Sequence, residues 1–144
     1  MRQETRLYQE DDERWLCSTK TTDELADFLE SVCYFHDCCI VDVHYISGAY
    51  CSGGWMHPEN DQRELRVHLQ GWCAGVLIFQ GLRFCRLSPQ ISGTCEILGA
   101  SMWADDTGVF WCDDDVRPET VGSYSGTVIC AESVTWLADS TTKT

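Results

Sequence analysis

No run of about eighteen apolar residues occurs in the chain, which excludes a transmembrane helix of ordinary composition. The opening residues, Met1-Arg2-Gln3-Glu4-Thr5-Arg6, also lack the apolar stretch of a signal peptide, so a cytoplasmic protein with no membrane partner is expected. Positive charge is scarce: 10 Lys and Arg stand against 23 Asp and Glu, a formal net charge of −13. Such a field repels nucleic acid and anionic lipid, so no nucleic-acid partner is expected, and it favours a basic protein partner. Phosphate-cradling glycine loops, nucleophile elbows and HExxH helices are all missing. The commonest enzyme signatures are therefore absent, and nothing in the sequence calls for a cofactor. No repeat, low-complexity tract or linker divides the 144 residues, which read as one domain, 1–144. Within it, residues 1–20 form a polar, acidic segment that is either a loose arm or tied down through an edge strand at Trp15-Leu16.

What is abundant is cysteine, tryptophan and acid. Ten cysteines without an exporting segment argue for reduced thiols rather than a disulfide framework. Cys85, Cys95, Cys112 and Cys130 lie in apolar, strand-like stretches, where free cysteine packs as a small hydrophobe. Of the six tryptophans, Trp103 and Trp111 fall in strands and are expected in the core, whereas Trp55 and Trp72 stand beside glycines near loops. The acidity belongs to the two ends: residues 1–30 carry a net −5 and residues 96–144 a net −7, while residues 31–95 carry only −1.

Hydrophobic periodicity gives the fold class. Leu25, Phe28, Leu29 and Val32 recur at helical spacing, Thr21 and Glu24 have the spacing of a capping box, and Asp23 and Glu24 suit a first turn; a helix is expected over about residues 22–33. The period then changes to two. Residues 39–45 and 64–70 alternate as half-buried strands, residues 75–79 form a central strand, and residues 82–87 resume after Gln80-Gly81, read as a bulge or tight turn. Residues 95–103 and 109–112 read as a hairpin around Asp105-Asp106-Thr107-Gly108, and a last strand is expected over residues 124–136 with a bulge near Ala131-Glu132. One helix packed against a sheet or sandwich of six to seven strands without helical crossovers is an α+β, mainly antiparallel β protein.

Candidate sites are few. His36-Asp37 sits where the helix gives way to the first strand. It reads either as a functional pair, since a carboxylate beside an imidazole can fix its tautomer, or as a turn in which Asp37 bonds backbone amides. Asp113-Asp114-Asp115 lacks the spacing and glycine of a calcium loop. Together with Asp105 and Asp106 it is better suited to docking a basic surface. A metal site from Cys38, His44 and His68 would need a strand register that the sequence does not set. Cys51-Ser52-Gly53-Gly54-Trp55 superficially matches a cysteine-protease nucleophile segment, but its glycines point to a turn and no helix follows.

A series of short pieces resembles a group of small bacterial proteins. It runs through Phe35-His36-Asp37 with Ile40, Ile46-Ser47-Gly48-Ala49-Tyr50, Leu65-Arg66-Val67 and Phe79-Gln80-Gly81-Leu82. It continues through Cys95-Glu96-Ile97-Leu98-Gly99-Ala100, Trp111-Cys112-Asp113 and Ile129-Cys130-Ala131, within about residues 30–136. Some proteins with such a Phe-His-Asp start and β-rich body resemble immunity proteins of polymorphic toxin systems. The resemblance implies an acidic binder that blocks a toxin, and assigns His36 and Asp37 no specific role. The expected function is thus a non-catalytic protein-binding module. Its competitors are a metal- or thiol-dependent enzyme using some of His36, Asp37, His44, His68 and Cys38, and a homo-oligomer joined around Trp55 and Trp72.

Overall fold

The computed structural model describes residues 14–15, 21–58, 62–88 and 95–139, the first pair by backbone alone. Among these residues the strands are β1 (Arg14–Trp15), β2 (Cys38–Ile46), β3 (Tyr50–Ser52), β4 (Trp55–His57), β5 (Glu64–Gly71), β6 (Gly75–Arg86), β7 (Glu96–Ile97), β8 (Ser101–Ala104), β9 (Val109–Cys112) and β10 (Val128–Ala138). A single α-helix, α1 (Thr22–Ser31), precedes all but the first. The main sheet is antiparallel throughout, in the order β7-β2-β5-β6-β10-β9-β8. Along one edge of β10, β9 pairs with residues 128–131 and β1 pairs with Trp136 and Leu137. Strands β3 and β4 form a separate two-stranded sheet. The chain is therefore α+β and mainly antiparallel β, and no described helix is long and apolar enough to cross a membrane.

Helix α1 forms where the periodicity placed it, ending two residues early. Thr21 accepts the Glu24 backbone N–H at 3.2 Å and donates its hydroxyl to the Glu24 carboxylate at 2.8 Å, satisfying an otherwise orphaned helix donor. Thr22 then ties the helix start to β8, donating to Ala104 O at 3.2 Å and accepting from Ala104 N at 3.1 Å. The apolar stripe of α1 fills the concave side of the curled sheet: Leu25, Phe28 and Leu29 pack with Leu65, Val67, Leu69, Leu77, Phe79, Ile129, Trp111 and Trp136. A smaller cluster on the opposite face joins Trp103, Phe110, Cys112, Val116, Val128 and Cys130, with Val121 and Tyr124 packed against it from the segment after β9.

Several expectations need correction. Residues 75–86 are one strand, kinked at Gly81 (φ +67°). A Cβ at Gly81 would sit 2.7 Å from Glu132 Oε1, and a register shift between Cys130 and Ala131 accompanies the kink. Residues 95–103 divide into β7, paired with β2, and β8, paired with β9. The last strand starts at Val128; the segment before it carries a 3₁₀ turn, Val121–Ser123. In β2 a register shift between Ile40 and Asp42 makes Val41 the extra residue, which flips the side-chain parity. Ile40 and Val43 consequently approach the core, while Val41 and Tyr45 are exposed. Strands β3 and β4, joined through Gly53-Gly54 at positive φ, were not anticipated as strands. Trp103 and Trp111 are buried as expected, and Trp55 and Trp72 are exposed. The nine described cysteines are all free thiols; Cys112 and Cys130 are buried, but Cys85 and Cys95 are exposed rather than core. Burial pushes the Cys112 thiol up to about 12 and the Cys130 thiol up to about 11. Of residues 1–20, the described structure reaches only the Arg14–Trp15 pairing.

Candidate functional site

The chain leaves α1 through an uncommon turn. Cys33, Tyr34 and Phe35 hold φ values of +53°, +55° and +57°, and Asp37 holds +63°. Left-handed backbone in non-glycine residues costs about 1–2 kcal/mol each and concentrates at functional sites. The turn closes on itself, with Phe35 N–H donating to Val32 O at 3.0 Å and His36 N–H to Cys33 O at 2.9 Å. Its anchor is Phe35, fully buried and edge-on to Phe28, Trp111 and Trp136, with ring centroids 5.9, 6.3 and 5.2 Å away.

This turn presents His36 and Asp37 to solvent, their side chains 56% and 54% exposed. The His36 Nδ1 lies 2.9 Å from Leu98 O; a carbonyl only accepts, so Nδ1 carries a hydrogen. The other ring nitrogen, Nε2, lies 3.4 Å from Asp37 Oδ1. The Asp37 backbone is fixed on both sides, its N–H donating to Ile97 O at 2.9 Å and its carbonyl accepting from Trp72 N at 3.4 Å. The main chain of Asp37 thus locks the turn, and its carboxylate remains outward.

Pairing of β7 with β2 adds a residue that sequence reasoning missed. Glu96, opposite Cys39 in the ladder, brings a second carboxyl beside Asp37. Hydrogen bonding of its protonated form to the Asp37 side chain and the neighbouring negative charge raise the Glu96 carboxyl above its ordinary range, with the His36 ring pulling the other way. Around these groups stand large exposed apolar side chains: Tyr34 (46%) on the turn, Leu98 (71%) beyond β7 and Trp72 (72%) between β5 and β6. Backbone hydrogen bonds from Trp72 to Asp37, and from Ala100 to Tyr34, hold these segments together. A strained turn thus displays one imidazole and two carboxyls within an aromatic and aliphatic rim. Only the His-Asp pair and the glycine-flanked Trp72 were visible in the sequence. Glu96 and Leu98 join them through the β2–β7 register, and Tyr34 through the turn itself.

The other aspartates do not join this patch. Asp105 and Asp106 form the β8–β9 turn, where Asp105 Oδ1 accepts from Thr107 N at 2.7 Å. Beside them a cavity of about 220 Å³ also includes Arg83 and Glu132, paired at 3.3 Å. Asp113 is structural: its Oδ1 accepts a short hydrogen bond from the Tyr124 hydroxyl and another from Thr127 N at 3.2 Å. Burial and the Asp113 carboxylate together drive the Tyr124 hydroxyl far above its usual range. Asp114 Oδ1 accepts from Asp115 N at 2.7 Å, so the triple acid is an exposed turn with one inward member. The proposed Cys38, His44 and His68 set does not converge. Cys38 enters the core, while His68 Nδ1 lies 3.5 Å from Asp42 Oδ1 on the other face and His44 stands opposite Arg66. Among the described residues no group of three or more His, Cys, Asp or Glu is placed to hold a metal ion. No family model, no curated protein and no solved structure matches the chain.

Proposed function

We propose that the protein is a non-catalytic binding module that docks a basic protein partner on the His36, Asp37 and Glu96 face. The observation that carries this reading is the exposed Asp37–Glu96 carboxyl pair, set among Tyr34, Trp72 and Leu98. Two carboxyls held together in solvent repel each other, and an arginine or lysine side chain placed between them removes the repulsion. Tyr34 and Trp72 add faces on which a guanidinium can stack, and rigid aromatics are the residues that most often anchor a partner. The net charge of −13 steers a cationic partner toward the molecule at long range. An immunity-like role, in which the partner is a basic toxin, is the biological form this reading takes from the resemblance of the Phe35-His36-Asp37 opening.

The test is titration calorimetry with short peptides carrying one arginine among neutral apolar residues, and with citrulline analogues. Binding of the arginine peptide is expected to weaken about tenfold or more in the combined Asp37→Asn, Glu96→Gln variant, to weaken in Trp72→Ala, and to fall as salt rises. Equal binding of arginine and citrulline peptides, or indifference to the double substitution, overturns the assignment.

A further inference from the structure

The curl of the sheet creates a second site that the docking face does not use. Strands β7 and β2 lie at one end of the strand order, whereas the ends of β6, β9 and β10 lie well along it. Residues from both regions nevertheless line one cavity of about 280 Å³. Ile40, Val43 and Ile97 come from the first, and Leu87, Asp113 and Thr127 from the second. The sheet therefore bends far enough to form a mouth. Helix α1 and the aromatic cluster around Phe35 fill the concave side elsewhere. The volume lies just below the range of roughly 300–1,000 Å³ typical of small-molecule sites, which favour the mouths of barrel-like sheets.

The chemistry of the walls is specific. Ile40, Val43, Leu87 and Ile97 share the walls with Ser88, Cys95, Thr127 and one acidic residue, Asp113, whose Oδ1 receives two hydrogen bonds. Among the described residues no hydrogen bond reaches Oδ2. Largely apolar walls with a single acidic residue suit an apolar body bearing one cationic or strongly donating head. A metal ion is the wrong guest, since one carboxylate and two hydroxyls supply fewer oxygen ligands than a hard cation takes. We propose that the mouth of the curled sheet binds a small organic ammonium compound, its apolar body against Ile40, Val43, Leu87 and Ile97 and its cationic head on Asp113 Oδ2.

Cys95, an exposed thiol in the same wall, provides the readout. The rate of its alkylation by iodoacetamide is measured by mass spectrometry with benzylamine, benzyl alcohol or phenylacetate present; Cys51, exposed on the β3–β4 hairpin, is the internal control. Benzylamine is expected to slow alkylation of Cys95 but not Cys51. Benzyl alcohol should need about tenfold or more higher concentration for the same protection, and phenylacetate should give none. Asp113→Asn keeps an oxygen for Thr127 N–H and the Tyr124 hydroxyl, and is expected to erase the advantage of the amine over the alcohol. Val43→Phe, which fills the cavity without touching the carboxylate, should abolish protection by both, and it decides the matter should the Asp113 variant fail to fold. Equal protection by all three probes, no protection by any, or benzylamine protection that survives Val43→Phe overturns the proposal.

Discussion

At the scale of single residues, the informative groups are those whose neighbours oppose their ordinary state. The Glu96 carboxyl is raised because Asp37 hydrogen-bonds it and adds a second negative charge. A carboxyl that holds its proton more tightly in the folded state contributes stability while protonated. That contribution is lost as pH rises from the ordinary carboxyl range through the raised one. Glu96→Gln is therefore expected to melt higher than the parent at pH 7, with the advantage shrinking to nothing near pH 4; thermal melts at the two pH values check it, and a lower melting temperature at pH 7 would refute it. The docking role predicts that the same substitution weakens cation binding, so the residue is a site where stability and recognition pull in opposite directions. Trp111 Nε1 and Arg66 Nη1 are buried without hydrogen-bond partners among the described residues, although Arg66 Nε meets Glu64 at 2.5 Å.

Among the elements, the left-handed turn depends most on what packs behind it. Three successive non-glycine residues at positive φ are held by one buried ring, so Phe35→Ala removes the anchor as well as the packing. Its expected cost is about 3–5 kcal/mol in chemical denaturation, and it should release the turn, which quenching of the exposed Trp72 would report. A loss below about 1 kcal/mol would show that the turn is held by its own hydrogen bonds. Helix α1 and strand β5 were legible in the sequence because each buries one face at its own period and α1 carries its cap. Strand β2 was only half legible: the extra residue at Val41 reverses parity, and that reversal belongs to the pairing with β5 rather than to the string of residues. Strands β3 and β4 escaped because every residue in both is exposed, leaving no alternation to detect. The candidate site divides in the same way. His36-Asp37 stood out at an element boundary, whereas Glu96 came from nearly sixty positions away through a two-residue strand.

For the molecule as a whole, the curled sheet decides where chemistry can occur. Its concave side holds the main core and the cavity at Asp113, the opposite face holds the second cluster, and the strained turn carries the docking patch at one margin. The negative charge concentrated in the end regions leaves residues 31–95 nearly neutral, and that stretch supplies His36, Asp37, Tyr34 and Trp72. The arrangement also bears on self-association. Strand β9 follows β10 only as far as Ala131, and β1 takes up the same edge at Trp136 and Leu137. A chain shortened to begin at Thr21 therefore uncovers backbone donors and acceptors beside two large apolar residues, the kind of template on which another strand can add. Such a chain is expected to associate further in light scattering than the full chain, and equal association of the two would refute it. Two residues near the start of the chain would then act as a chaperone built into the sequence, occupying in each molecule the edge that a second copy would otherwise seek.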